Sequence, residues 1–180
     1  FRILAVTFLL TVPTVFVGFH ADDWVLINRL QEQSEVTFPN AYDLAPNKDP
    51  GEQFNGKRSC CLPWWSHPEI KILFFRPLTS KALDMLRRIA PEMPEIWHAI
   101  QVSFFLLCIV LIASIYRRLL PSNHSTLAST LMFALCGKSA LSIAWIAQLN
   151  HLLAFLVFLT GLTVYLSMHQ TKPWLASFAM

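Results

Sequence analysis

The densest group of residues able to do chemistry is His20-Ala21-Asp22-Asp23-Trp24, directly after an apolar run at residues 3–19. Two adjacent carboxylates where a chain leaves a membrane are costly unless water, a cation or a substrate compensates them. In a catalytic role, one carboxylate deprotonates an acceptor hydroxyl while the other orients it or holds a divalent metal. The pair also suits a plainer task, because acidic side chains stabilise a helix N-terminus. A second constellation is Phe74-Phe75-Arg76-Pro77-Leu78-Thr79. A guanidinium between aromatics and a rigid proline is shaped to grip a phosphate through two parallel hydrogen bonds. The same residues would serve as an interfacial anchor whose arginine head reaches toward water. His98, next to Trp97, could ligate or carry a proton, although histidines at helix starts are more often structural. Cys60 and Cys61 are adjacent and form no CxxC pair, so they do not spell a zinc site. Cys108 and Cys136 lie in apolar runs as small hydrophobic side chains.

These groups are separated by stretches that read as membrane spans. The run 3–19 is uncharged and falls at the short end of the roughly 17–25 residues that cross ~30 Å of hydrocarbon. It contains Pro13, which a membrane helix tolerates when neighbours satisfy the freed carbonyl. A second span is expected at 99–116, closed by Arg117 and Arg118. Arginines abutting an apolar run mark the cytoplasmic side, which makes the loop 20–97 extracytoplasmic. Between Ser125 and Met168 only Lys138 is charged. As one helix these residues would be about 66 Å long, twice a bilayer, so the run must fold back. The expected break is Gly137-Lys138-Ser139, giving a third span at about 123–136, an extracytoplasmic segment at 137–150 and a fourth span at 151–168. The start of a fifth follows at 173–180. The chain starts and ends inside apolar runs, so a longer protein is expected.

Within the loop, residues 21–33 form an expected surface helix capped by Asp22 or Asp23, with Trp24, Ile27 and Leu30 on one face. A second amphipathic helix is expected at 80–89. The aromatic stretch 62–75 should pack against the first helix and bring Arg76 toward Asp22 and Asp23. The fold class is therefore all-α: a polytopic transmembrane bundle, read as a single module over 1–180, with amphipathic interfacial helices in its long first loop.

The charge distribution agrees. Of the side chains 54% are hydrophobic and 14% charged, against roughly 45–50% and 25% in an ordinary soluble domain. All 11 acidic residues lie between Asp22 and Glu95, with nine of the 14 basic ones, so this loop carries a net −2. The overall +3 comes from flanking arginines and lysines, and no basic stripe suited to nucleic acid is present.

In order along the chain come the acidic pair, Pro63-Trp64-Trp65-Ser66-His67-Pro68-Glu69-Ile70-Lys71 and Phe75-Arg76-Pro77-Leu78-Thr79. Then follow Trp97-His98, Tyr116-Arg117-Arg118 and Trp145-Ile146-Ala147-Gln148-Leu149-Asn150. This series resembles bacterial polytopic membrane proteins related to the GT-C glycosyltransferases, which include the protein O-mannosyltransferases. The likeness runs over nearly the whole chain and is most specific from Pro63 to Leu78. It implies transfer of a sugar from a polyprenyl-phosphate carrier to a protein or glycan acceptor outside a bacterial inner membrane. It further implies that Asp22 and Asp23 are the catalytic acids, that Arg76 faces the donor phosphate, and that His98, Trp145 and Asn150 are accessory. A divalent metal is compatible, and no other cofactor is implied. Relatives tend to read Trp-Leu-Ala-Asn-Arg-Asn where this chain has Trp145 to Asn150, so their arginine is Leu149 here. The alternative is a membrane scaffold or assembly subunit whose extracytoplasmic loop binds a partner.

Overall fold

A computed structural model of the chain describes residues 2–20, 22–36, 39–43, 73–136 and 142–171. In chain order its helices are α1 (Arg2–Thr11), α2 (Asp22–Glu32), α3 (Pro77–Ile89), α4 (Pro94–Leu119), α5 (Asn123–Ala134) and α6 (Leu149–Thr171). Tight 3-10 turns occupy Val12–Phe16 and Ile146–Gln148, and one isolated antiparallel bridge joins Asp43 to Leu73. The stretch 63–71, the Gly137-Lys138-Ser139 break, Cys60, Cys61 and the expected fifth span lie outside the described residues. The chain forms two compact units, one of Phe1–Gly18 with Met93–Met180 and one of Phe19–Glu92.

The first unit is built on α4. Proline opens this helix, where its missing N–H costs nothing, and Arg117 and Arg118 in the last turn complement the helix dipole. Val102, Phe105, Cys108, Ile109, Ile112 and Ile115 form its buried stripe, which meets Ile143, Leu152 and Leu159. Ile3, Leu4, Val15 and Phe133 lie against the same core, and Phe133 stacks on Phe155 of α6 at 5.6 Å. Two helical stretches are long and apolar enough to cross a membrane, Pro94–Leu119 and Ile146–His169. They enclose the expected spans 99–116 and 151–168. The hydroxyls of α6 bond back into the helix, Thr160 to the Leu156 carbonyl, Thr163 to Leu159 and Ser167 to Thr163. Each of these three hydroxyls is satisfied without water.

Three hydrogen bonds define the relative direction of the long helices. Near the start of α4, Gln101 Nε2 donates to the Ser142 and Trp145 carbonyls, just before α6. Near its end, Arg118 Nη1 donates to Ser167 Oγ in the last turns of α6. The helices therefore run parallel, and residues 120–148 must return the chain from one end to the other. Part of that return is α5, started by Ser122, whose hydroxyl accepts from the Ser125 N–H. At 12 residues it covers only about 18 Å at 1.5 Å per residue.

The first expected span is also shorter than a bilayer. Pro13 cannot donate to an α-helical bond, and the chain tightens into the 3-10 turn after Thr11. The continuous apolar helix is Ile3–Phe16. Gly18 then adopts φ +78°, a conformation that favours glycine, and redirects the chain.

In the second unit α2 packs on α3. The buried row of α2 is Asp23, Leu26, Ile27 and Leu30, the i, i+3, i+4, i+7 pattern of a core-facing helix. The expected row through Trp24 is corrected by this rotation: Trp24 is 53% exposed, its ring edge-on to Phe19 and its Nε1 donating to the Phe19 carbonyl. From α3, Thr79, Ser80, Leu83, Asp84 and Leu86 are buried. Asp84 is held by Arg87 at 3.1 Å and Arg88 at 3.0 Å.

Candidate functional site

Local bonding at the start of α2 separates the two adjacent carboxylates. Consecutive helical residues point about 100° apart, so Asp22 faces outward and is exposed while the Asp23 carboxylate is wholly buried. Asp23 Oδ2 accepts the His20 backbone N–H at 3.3 Å and lies 3.6 Å from His20 Nδ1. This is the reach-back of a capping box, which satisfies a donor ahead of the first turn. Asp22 is the carboxylate open to an acceptor, and Asp23 is the one that orders the entrance to the helix.

Arg76 is positioned by the join between residues 40–43 and 73–80. The Gln33 side chain clamps Asn40 from both sides, accepting its N–H at 2.7 Å and donating to its carbonyl at 3.2 Å. Asn40 Oδ1 accepts the Tyr42 N–H, and Ser80 Oγ accepts the Ala41 N–H. The Phe74 N–H donates to the Tyr42 carbonyl beside the bridge of Asp43 and Leu73. The half-buried Arg76 guanidinium consequently lies 4.5 Å from the Tyr42 ring centre and 5.0 Å from that of Phe74. Both distances are inside the ~6 Å reach of a cation–π contact. The guanidinium is a planar fork of N–H donors, and the Tyr42 phenol takes a hydrogen bond from it.

Tyr42 is a residue that motif reading missed. It is 3% exposed, and burial pushes its phenol up to about 12, against the pull of the Arg76 charge and hydrogen bond, with a further push from the Asp23 charge. The phenol is therefore neutral at physiological pH and feels both expected site residues, Arg76 and Asp23. A tyrosine in a polar stretch has no spacing signal, since its role comes from the distant bridge between Asp43 and Leu73. Phe75, the other expected partner of Arg76, is 88% exposed.

The expected accessory residues belong to the first unit. His98 is fully buried, and its Nε2 donates to the Gly18 carbonyl at 3.1 Å. Its Nδ1 is buried with no partner among the described residues. Trp145 Nε1 and Asn150 Oδ1 are likewise buried and unpartnered among them. Leu149, where the resemblance leads one to expect arginine, is 2% exposed within the core. Gln101, also missed, joins α4 to residues 142–145 through its two bonds. Among the described residues no three His, Cys, Asp or Glu side chains gather into a group able to hold a metal ion.

Comparison with protein-family models, curated proteins and solved structures finds no match for the chain.

Proposed function

We propose that the chain is the N-terminal membrane module of a GT-C-type glycosyltransferase of a bacterial inner membrane, taking a sugar from a polyprenyl-phosphate carrier to an extracytoplasmic protein or glycan. The observation that carries this reading is Arg76, a guanidinium in cation–π reach of both Tyr42 and Phe74 in the unit that also holds Asp22 and Asp23. The aromatic faces restrict the planar fork, which favours bidentate binding of a phosphate over a free-swinging point charge. In this reading Asp22, being exposed, takes the proton of the acceptor hydroxyl as the sugar transfers. Asp23 is a positioning residue acting through the start of α2. A membrane span at α6 is supported by its exposure: the stretch Ile146–His169 is apolar, yet only 11% buried. A soluble core helix would be covered, whereas lipid can cover this one.

The test is transfer from polyprenyl-phosphate sugars in membranes holding the full-length protein. Arg76→Lys keeps the charge and loses the fork, so it should raise the donor KM about tenfold or more, the loss expected for a charge-assisted hydrogen bond of about 1.5–3 kcal/mol, with insertion unchanged. A wild type that transfers from no polyprenyl donor would reject the reading. That outcome would favour a membrane scaffold, a reading supported by the complete burial of Asp23 at a helix start.

A further inference from the structure

The outer face of α3 is apolar where an aqueous helix would be polar. Leu78, Met85 and Ile89 are 63%, 60% and 64% exposed, with Ala82 half-buried among them. Spaced i, i+4, i+7 and i+11, the four fall within about 60° of one another on a helix of 3.6 residues per turn. Lys81 and Arg88, exposed at 58% and 56% of their side chains, lie about 80° to one side of that row. The inward face meanwhile includes Thr79, Ser80 and Asp84, each with a packing task of its own. The outward row is therefore not the spare edge of a core stripe, because the core stripe of α3 faces the other way.

We infer that α3 is an interfacial anchor: Leu78, Ala82, Met85 and Ile89 lie in the boundary between lipid headgroups and acyl chains, and Lys81 and Arg88 meet anionic lipid phosphates. Three observations select a bilayer over a protein partner. First, the pattern is that of helices lying in an interface, with an apolar row flanked by basic side chains. Second, α3 carries Lys81, Arg87 and Arg88 against Asp84 alone, a net +2 complementary to anionic headgroups. Third, only residues 90–93 separate Ile89 from Pro94, the start of a helix long enough to span a membrane. Five peptide steps reach at most about 18 Å, so Ile89, the end of the row, stays within that distance of Pro94. Phe75, 88% exposed just ahead of the helix, adds an apolar side chain of the kind that interfacial helices bury in lipid. α2 carries no such row, since Leu26, Ile27 and Leu30 are buried within its unit. The inference rests on α4 crossing the membrane and does not depend on sugar transfer.

The experiment uses the full-length protein, with its native cysteines replaced, in phosphatidylcholine vesicles with and without phosphatidylglycerol. Single spin labels go at positions 78, 81, 82, 85, 88 and 89, with a control at the exposed Glu35. Collision with oxygen, which concentrates in lipid, is compared with collision with a water-soluble nickel chelate. Labels at 78, 82, 85 and 89 should favour oxygen severalfold over the control, and those at 81 and 88 should lie at headgroup depth. Lys81→Glu, or added salt, should raise nickel access along the row in the anionic vesicles and leave the zwitterionic ones unchanged. Lys81 carries this arm because its contact with Asp84, at 3.9 Å, is looser than the 3.0 Å contact of Arg88. Equal nickel access at the row and at Glu35 would overturn the inference and leave α4 as a span. Shielding from both reagents that changes with the number of protein copies per vesicle would overturn it in favour of a second copy. Shielding from both that does not change would point to cover by this protein itself and overturn it too. A chain that carbonate strips from the vesicles would overturn both the anchor and the spanning reading.

Discussion

Asp22 and Asp23 share a residue type and neighbouring positions but not an environment. The exposed Asp22 can meet an acceptor, so Asp22→Asn should lower transfer by roughly 10²–10⁴, the usual worth of general-base help, without lowering the amount of protein in the membrane. Asp23→Asn weakens a buried acceptor that holds the His20 N–H. It should cost about 1–3 kcal/mol of stability, seen as earlier thermal aggregation in detergent, with any loss of transfer following from loss of folded protein. If Asp22→Asn transfers as wild type while Asp23→Asn alone is impaired, the pair is a helix start and not a base. Tyr42 makes a prediction about pH. Its folded-state value of about 12 lies above the ordinary 10.0, so the folded chain holds the phenolic proton more tightly than the unfolded one. The stability contributed by neutral Tyr42 is complete below pH 10 and is lost as pH rises toward 12. The loss is at most about 2–3 kcal/mol. Phenolate absorbance measured alongside unfolding of the second unit should show both changes together in that window, and Tyr42→Phe should remove the dependence.

Among the elements, α4 is held to the segment before α6 by a side chain within its own apolar length. Gln101 is 1% exposed and supplies both donors for the Ser142 and Trp145 carbonyls. Gln101→Leu fits the hydropathy of the helix better yet orphans two acceptors, each worth about 1–3 kcal/mol when buried unpaired. Hydrogen exchange should speed up at residues 142–148 in that variant while the middle of α4 stays protected. Unchanged exchange would mean that the core around Ile143 and Leu152 holds the segment without the glutamine. The helix limits in the loop were legible within a few residues: 21–33 became Asp22–Glu32 and 80–89 became Pro77–Ile89. The earlier start of α3 follows from proline's preference for the first helical position. The rotation of α2 was not legible, because its packing on α3 turns Leu26, Ile27 and Leu30 inward, and Asp23 with them, while Trp24 turns out.

For the molecule as a whole, the parallel course of α4 and α6 makes a prediction about topology. Arg118 and Ser167 share one end of the first unit, and Gly18, His98, Gln101 and Trp145 share the other. The chain leaves for residues 19–92 from the second end. If the arginine end is cytoplasmic, as its charge requires, residues 20–97 and the turn before α6 are extracytoplasmic. In a cysteine-free background, a membrane-impermeant thiol reagent added to intact cells should tag Asn55→Cys and not Asn123→Cys. Tagging of position 123 alone would invert the orientation and remove the acidic pair from any lipid-linked donor presented outside.

Composition and charge order alone determined the all-α class, the positions of the two long apolar helices and the polar character of residues 20–97. These follow from hydropathy, helical period and capping, which act between neighbours in the chain. The same local rules identified Arg76 as a phosphate-gripping candidate through its flanking aromatics and proline. Only the tertiary structure decided that Tyr42 and not Phe75 lies against Arg76, and that the apolar face left outward in the loop belongs to α3. Each depends on contacts between segments far apart in sequence, such as Tyr42 with Phe74 or Asn40 with Ser80. A local pattern supplies a face with its chemistry, and the partner that covers the face determines which residues remain outside.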